Sequence, residues 1–339
     1  MKRKIMNLLL PLVPFLVAGC SDAVLPADNG ADVIRLYASG SGLPAATKGE
    51  GETVKEITPF GTTVFASLQA GTYATSAAGS WTHDAGVDKN GAVSFTADFK
   101  PTYPDTGSNI YLVAVSPAVA AGANDAAVGS ITSSGTVTYT LDGTQDLLYA
   151  KEISGNRTDG HRFSGNTNVA NNKPLAYEHL LTQLQFKAKM SSGTASGTTA
   201  TVKKITVNNV KTAATVKLAG GTTTFADSPT SSISLEPTSG SENGSGGVAV
   251  SGTTAVSIGN LLLPPLASGT YTITVEATVG SENRTYSDVP ITGNNLFQAG
   301  HSHVITLTIG SPGEPTSLEI TSVKVDTWTT VDKGELSTK

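Results

Sequence analysis

The sequence predicts an all-β fold. Glycine accounts for 36 of the 339 residues, whereas charged residues make up only 14%. Few segments keep apolar residues at a spacing of three to four for a dozen positions, as an amphipathic helix requires. Short runs of alternating apolar and polar residues recur instead between Gly, Asn, Ser and Pro clusters, at the spacing of a sandwich or barrel. The clearest runs span residues 33–37, 62–68, 93–99, 110–115, 136–141, 184–190, 202–207, 271–279 and 303–309.

The first 19 residues predict an export signal. Residues 2–4 are basic, and an apolar run follows that is too short to span a bilayer, which needs about 20 apolar residues. The run ends Leu16-Val17-Ala18-Gly19-Cys20, which resembles the lipobox of bacterial lipoproteins. We therefore expect Cys20 to be the acylated first residue of the mature chain and to anchor it in a membrane. Because it is the only cysteine, an intrachain disulfide is excluded.

Low-complexity segments divide the remaining chain. Residues 20–32 are predicted to be a tether between the lipid and the first strand. The polar, Asn-rich segment 155–173 has too little apolar content to pack, and we place a domain boundary near its end. The prediction is an N-terminal β domain of residues 33–172 and a C-terminal β domain of residues 173–339.

Two local elements interrupt the strand pattern. Asp88-Lys89-Asn90-Gly91 predicts a hairpin turn, because Asn-Gly supplies the positive φ angles of tight hairpins. Its partial likeness to a calcium loop lacks the later glutamate and most ligand positions. Residues 177–183 predict one short helical stretch whose leucines face the core.

Composition and motifs argue against several functions. The net charge is −5 and no run of five basic residues occurs, so the chain lacks the electrostatic footprint of a nucleic-acid-binding protein. The motifs of serine hydrolases, nucleotide-binding loops and zinc proteases are absent, so neither catalytic residues nor a cofactor are predicted. His301 and His303 could share a metal ion on one strand face, but no carboxylate or third histidine lies nearby. We assign them a structural role and expect no metal site.

Two segments carry a resemblance to a known family. Residues 146–150 read DLLYA, and residues 174–186 read PLAYEHLLTQLQF. Together they are similar to the signature of fimbrillin-like proteins, the type V pilins of Bacteroidales and their relatives. Residues 111–117, the segment from Leu262 to Val275 and the closing segment 323–328 match further parts of the family pattern in the same order.

This resemblance implies a fold, a location and a set of partners. The fold would be two transthyretin-like β-sandwich domains in tandem, exported as an outer-membrane lipoprotein exposed at the cell surface. In the family, a trypsin-like surface protease cuts after an arginine that follows the first strand and removes that strand. The vacated groove then accepts a strand from a neighbouring subunit. The implied partners are other fimbrial subunits, the outer-membrane lipid at Cys20 and a host or bacterial surface ligand, and no nucleic acid.

The removable first strand would be residues 33–37. Alternation places Val33 and Arg35 on one face and Ile34 and Leu36 on the other. The family's cleavage position matches Lys48, where arginine is usual, and the two cations are not interchangeable in a bidentate pocket. Three alternatives remain open. A lysine-tolerant protease cuts at Lys48, cleavage occurs at Arg35, or the chain stays uncut as an anchor subunit.

The carboxyl end contains a candidate donor strand. Leu318 and Ile320 alternate in one phase and Val323 and Val325 in the other, which predicts a kink or bulge at residues 321–322 before Trp328. The segment would be either a two-part donor strand or the ordinary last strand of the second domain.

A second function is compatible with the same fold. A surface lipoprotein that binds a glycan or host ligand without polymerising should show clustered aromatic residues on exposed loops. Tyr73, Trp81 and Tyr103 are the only plausible start of such a cluster.

Overall fold

A computed structural model describes most of the chain, and every element of regular structure in the described residues is a β-strand, which confirms the all-β prediction. Cys20, Lys48 and Trp328 lie outside the described residues. No helix in the described part is long and apolar enough to cross a membrane. The structure describes residues 33–39, 58–73, 79–119, 130–157, 163, 173–194, 197–228, 230–237, 246–291 and 297–310, and the backbone of 45–46, 56–57 and 318–327.

The strands are numbered in chain order. Those before residue 180 are β1 (Leu36–Ser39), β2 (Ala45–Ala46), β3 (Glu56–Ile57), β4 (Phe60–Ser67), β5 (Trp81–Val87), β6 (Ala92–Phe95), β7 (Ile110–Ser116), β8 (Ser130–Ile131), β9 (Thr136–Thr140), β10 (Leu148–Gly155) and β11 (Leu175–His179). Those after residue 180 are β12 (Thr182–Met190), β13 (Thr199–Lys211), β14 (Ala213–Lys217), β15 (Thr223–Phe225), β16 (Thr230–Leu235), β17 (Val248–Ser251), β18 (Val256–Leu263), β19 (Thr272–Val279), β20 (Glu282–Pro290), β21 (His301–Ile309) and β22 (Leu318–Thr327).

Seven strands form a closed barrel in the order β1-β11-β10-β7-β4-β5-β6. β1 completes the ring, because it pairs antiparallel with β6 and parallel with β11. Alternate residues of each strand point inward, so apolar side chains at every second position fill the interior. The barrel core contains Leu36, Val64, Leu112, Leu148 and Tyr177, each at most 3% exposed.

Except for β14 and β15, the strands after residue 181 form a β-sandwich. One sheet has the order β18-β12-β21-β22, and the other has the order β16-β13-β19-β20, with β17 also paired to β13. The inward residues of both sheets share a single core that includes Phe186, Val207, Ile273 and Leu307. Long alternating strands such as β12 and β19 bury one face completely, which is why their pattern is clear in the sequence.

A smaller sheet and a third core connect the barrel to the sandwich. The sheet has the order β15-β14-β9-β8, so β9 from before the predicted domain boundary pairs with β14 from after it. The third core contains Phe65 and Val115 from the barrel, Val216 from β14, and Leu181 and Leu262 from the sandwich.

The segment predicted to be helical is extended. Leu175, Tyr177 and His179 are buried while Ala176 and Glu178 are exposed, a period of two, and β11 pairs with β10. The helix prediction for residues 177–183 is therefore wrong. The strand pairing of the barrel continues past residue 173 to His179, and β12 begins at Thr182 in the next sheet. The two-domain division itself stays a prediction, and these pairings favour a boundary at Leu180–Leu181.

The hairpin turn predicted at residues 88–91 is confirmed. Asp88 Oδ1 accepts hydrogen bonds from the backbone N–H groups of Asn90 and Ala92, each at 2.8 Å. Gly91 has φ +84° and its N–H donates to Asp88 O at 3.0 Å. The turn joins β5 to β6 and sets the edge against which β1 lies.

Candidate functional site

The first-strand segment, residues 33–39 with β1 at its end, lies in the barrel wall with one face inward. Ile34, Leu36 and Ala38 are 2%, 3% and 0% exposed, whereas Arg35 and Tyr37 are half-buried on the outer face. The predicted alternation of faces along residues 33–36 is confirmed. The inward side chains belong to the barrel core, so the segment is part of the barrel's packing as well as of its hydrogen bonding.

Backbone hydrogen bonds hold this segment on both sides. Ile34 N donates to Pro101 O at 2.8 Å, and Ala38 N donates to Gly91 O at 2.7 Å. Val33 forms a bridge with Thr102, and on the opposite side Ala38 pairs with Leu175 of β11. Removal of this strand would expose the backbone groups of β6 and β11 along a slot.

The hydroxyl groups of Thr62 and Tyr177 form hydrogen bonds inside the barrel, next to β11. Thr62 Oγ1 donates its single proton to Val115 O at 2.7 Å, so the 2.8 Å contact with Tyr177 must be a hydrogen bond that Tyr177 donates. The Phe60 ring meets the Tyr177 ring edge-on, with centroids 5.2 Å apart. Burial raises the pKa of Tyr177 above its ordinary value, which keeps the hydroxyl protonated and able to donate.

The two signature segments of the sequence lie side by side. Leu148 of β10 pairs with His179 of β11, and His179 Nδ1 lies 2.9 Å from Asp146 Oδ1. Glu178 points to the other face of β11, where its Oε1 binds Lys151 Nζ at 2.6 Å. The contact between Asp146 and His179 therefore links the two signature segments.

A groove opens at one end of the barrel. It has a volume of about 310 Å³, and its lining is largely apolar. The residues that line it come from the start of β4, the end of β7 and the start of β10, and they are Thr58, Pro59, Phe60, Gly61, Ser116, Pro117, Ala118, Asp146 and Leu148.

The candidate donor strand pairs with its own chain in this structure. β22 runs antiparallel to β21 from Leu318 to Thr327 and forms the edge of its sheet. The register shifts at Thr321, since Thr306 pairs with Ser322 but Leu307 pairs with Ile320, and the bulge predicted there is confirmed. Donation of Leu318, Ile320, Val323, Val325 and Trp328 to another subunit stays a prediction.

The two candidate cleavage residues differ in position. Arg35 lies in the paired first-strand segment and is half-buried. Lys48 follows that strand, outside the described residues.

The aromatic residues considered for ligand binding do not form an exposed cluster. Tyr73 is buried and donates to Glu152 Oε2 at 2.5 Å. Tyr103 is buried and stacks on Phe163. Trp81 is half-buried, and its ring meets the half-buried rings of Phe95 and Phe99 edge-on. Ring packing and one hydrogen bond therefore explain the positions of all three side chains. Within the described residues, no group of three or more His, Cys, Asp or Glu side chains is placed to hold a metal ion.

Comparison with known proteins gives a consistent set of matches. A profile of the fimbrillin-like family matches residues 46–328. A structure from Bacteroides uniformis, named for cell adhesion, shares 18% identity, covers 88% of this chain and 100% of its own, and superposes with a TM-score of 0.56.

Two further solved structures have the same fold. One from Bacteroides ovatus, also named for cell adhesion, shares 15% identity over 87% of this chain and 97% of its own, with a TM-score of 0.54. A fimbrial protein from Bacteroides vulgatus shares 14% identity over 88% of this chain and 100% of its own, with a TM-score of 0.56. No curated protein sequence matches the chain.

Proposed function

The chain belongs to the fimbrillin-like family, and we propose that it is a structural subunit of a cell-surface fimbria that supports adhesion. The fimbrial and adhesion proteins that share its fold support a surface protein of this kind. The subunit would be non-enzymatic and would need no cofactor, because its work is to bind other subunits.

The observation that carries the proposal is the position of the first strand. It is the strand nearest the amino terminus in the barrel, and its removal requires a single cut in the chain. The other six strands would remain hydrogen-bonded in one continuous order from β11 to β6. Burial of Ile34 and Leu36 contributes about 3–6 kcal/mol together, so a barrel without the segment has a strong preference for a replacement strand.

The donor would be the carboxyl-terminal strand of a neighbouring subunit. β22 is ten residues long, compared with four for β1, and it is paired on one side only in its own sheet. Leu318 and Ile320, or Val323 and Val325, repeat the spacing of Ile34 and Leu36. Main-chain hydrogen bonds would supply affinity, and the alternating side chains would supply specificity, as in other cases of strand addition.

We place the cut at Lys48 rather than at Arg35. A protease must bind its substrate in an extended and accessible form, and Arg35 is paired within the barrel wall. A cut after Lys48 would release the first strand together with the acylated Cys20. The enzyme responsible would have to accept lysine, because a pocket built for a bidentate guanidinium does not bind an ammonium group equally well.

Before cleavage, the precursor would be held at the outer membrane by the lipid on Cys20, with its β-strands exposed at the cell surface. After cleavage, attachment would depend on neighbouring subunits alone. A subunit that escapes cleavage would keep its lipid and serve as an anchor.

The test is the mass and amino-terminal sequence of the protein recovered from the cell surface, for the wild type and for Lys48→Ala, with Arg35→Ala as the matched variant. We expect a mature terminus at Gly49 in the wild type and in Arg35→Ala. Lys48→Ala should remain full length and should lose the SDS-resistant ladder of polymerised subunits. Acylated Cys20 on an uncut wild-type chain would contradict the cleaved-subunit proposal and favour an anchor subunit or a non-polymerising ligand-binding lipoprotein.

A further inference from the structure

His303 lies in the core of the β-sandwich with no polar contact. Its side chain is 0% exposed, and neither ring nitrogen has a hydrogen-bond partner within the described part of the chain. The imidazole packs against the Phe297 ring, with centroids 4.8 Å apart. Buried polar groups are hydrogen-bonded in most proteins, so an imidazole with two unpaired nitrogens is an unusual core residue.

The position of His303 in the sheet explains why it is isolated. β21 is the third strand of its sheet, and His303 pairs with Leu184 of β12 on one side and with Val325 of β22 on the other. Further along β21, Ile305 and Leu307 continue the same buried face.

Few charged groups surround the ring. On β21, His301 lies two residues away and is half-buried, and its Nδ1 donates to Ala299 O at 3.0 Å. The residues of β12 next to Leu184 are uncharged glutamines, and β22 brings Lys324 and Asp326 on either side of Val325. Burial, and to a smaller extent the charge that His301 can carry, lower the pKa of His303 below its ordinary value.

A charged imidazolium could not be accommodated at this position. A buried charge without a counter-ion or hydrogen bonds is far less favourable than the same charge in water. In an opened sheet, the ring would meet water and take up a proton as an ordinary histidine does.

We infer that His303 makes the β-sandwich an acid-sensitive element, in which proton uptake by the imidazole drives opening of the β12–β21–β22 sheet. β22 should detach first because it is hydrogen-bonded on one side only. The inference rests on the packing of His303 and is independent of the proposed fimbrial function.

The direction of the pH effect follows from linkage. The closed sandwich holds neutral His303, whereas the opened chain binds a proton with the ordinary pKa of about 6.5. Stability from this residue is therefore complete above that pH and falls as the pH decreases below it. The ratio of opened to closed chain should rise by about tenfold for each pH unit below the ordinary value until the closed form itself takes up the proton.

The first test compares urea unfolding of the uncleaved chain of residues 20–339 with Cys20→Ser at pH 7.5 and pH 5.5, for the wild type, His303→Leu and the control His301→Gln. Carboxylates that titrate in this range change the stability of all three proteins alike, so the difference between the proteins reports the contribution of His303. We expect the unfolding constant of the wild type and of His301→Gln to rise about tenfold more than that of His303→Leu. Equal changes in wild type and His303→Leu would overturn the inference.

A second measurement needs no variant at position 303. In wild-type protein with ¹³C-labelled histidine, the His303 ring signal should stay at its neutral position between pH 7.5 and pH 5.5 while the fold is intact. Amide exchange in residues 318–327 should accelerate over the same range beyond its intrinsic pH dependence. A His303 signal that titrates near pH 6.5 in the folded protein would show that the closed sandwich accepts the proton and would contradict the mechanism.

Discussion

Replacement of Gly91 by alanine should loosen the first strand from the barrel. Gly91 has φ +84°, and an added Cβ would lie 2.4 Å from Tyr37 Cε2 and 2.6 Å from the backbone oxygen of Ala38. The half-buried Tyr37 ring can turn away, but the Ala38 carbonyl belongs to β1 itself. Relief of the overlap therefore requires β1 and the hairpin between β5 and β6 to separate.

A matched control divides the expected loss in free energy of unfolding into two parts. Gly269 has the same φ of +84°, and a Cβ added there would meet nothing within 4 Å, so Gly269→Ala carries the backbone strain alone. That strain costs about 1–2 kcal/mol. Gly91→Ala should add about 1 kcal/mol for the Ala38 N–H bond to Gly91 O. Partial exposure of Leu36 should add about 1–2 kcal/mol more.

The assay is urea unfolding of the uncleaved chain of residues 20–339 with Cys20→Ser, which retains β1, for the wild type and both glycine variants. We expect Gly91→Ala to lose at least about 2 kcal/mol more than Gly269→Ala. Gly91→Ala should also be digested faster by an added lysine-specific protease at sites near the first strand. Equal losses in the two variants would refute the argument that this turn holds β1 in place.

Three further predictions concern the cores and their hydroxyl groups. Tyr177→Phe removes the hydrogen bond to Thr62 but keeps the ring, and it should lower the free energy of unfolding by about 1 kcal/mol. Phe186→Ala in the sandwich core should cost about 3–5 kcal/mol in urea unfolding, while Lys187→Ala on the outer face should change it by less than about 1 kcal/mol. Burial raises the pKa of Tyr149 to about 12, so stability should be lost between pH 10 and pH 12 as the unfolded chain ionises first, and Tyr149→Phe should flatten this decline. Absorbance at alkaline pH reports tyrosine ionisation, and urea unfolding reports stability. Ionisation of Tyr149 near pH 10 in the folded protein would contradict the prediction.

The strands that could be predicted from sequence are those with one fully buried face. The run 184–190 lies within β12, the run 271–279 contains β19, and the run 303–309 lies within β21. In each, apolar side chains at every second position face one core, so local pattern and tertiary packing agree. The alternation of faces along residues 33–36 was predictable for the same reason.

The misread segment shows where local pattern is insufficient. Leu180, Leu181 and Leu184 have the spacing of a helix face, but Leu181 packs in the core that joins barrel and sandwich while Leu184 packs in the sandwich core. The spacing arises because the chain leaves one sheet and enters the next between these residues. Strands with few buried apolar residues, such as β5 and β20, offered no clear alternation at all.

The sequence could not predict which strands pair with each other, and this pairing determines what the candidate site can do. The pattern of β1 indicates which side chains point inward, but it does not show that β11, far along the chain, would be its parallel neighbour. That pairing makes β1 the closing strand of a ring whose other pairs are all antiparallel. Parallel pairs are slightly less stable per residue, and a terminal strand leaves after one cut. The barrel is therefore weakest, in both hydrogen bonding and connectivity, at the strand whose exchange we propose.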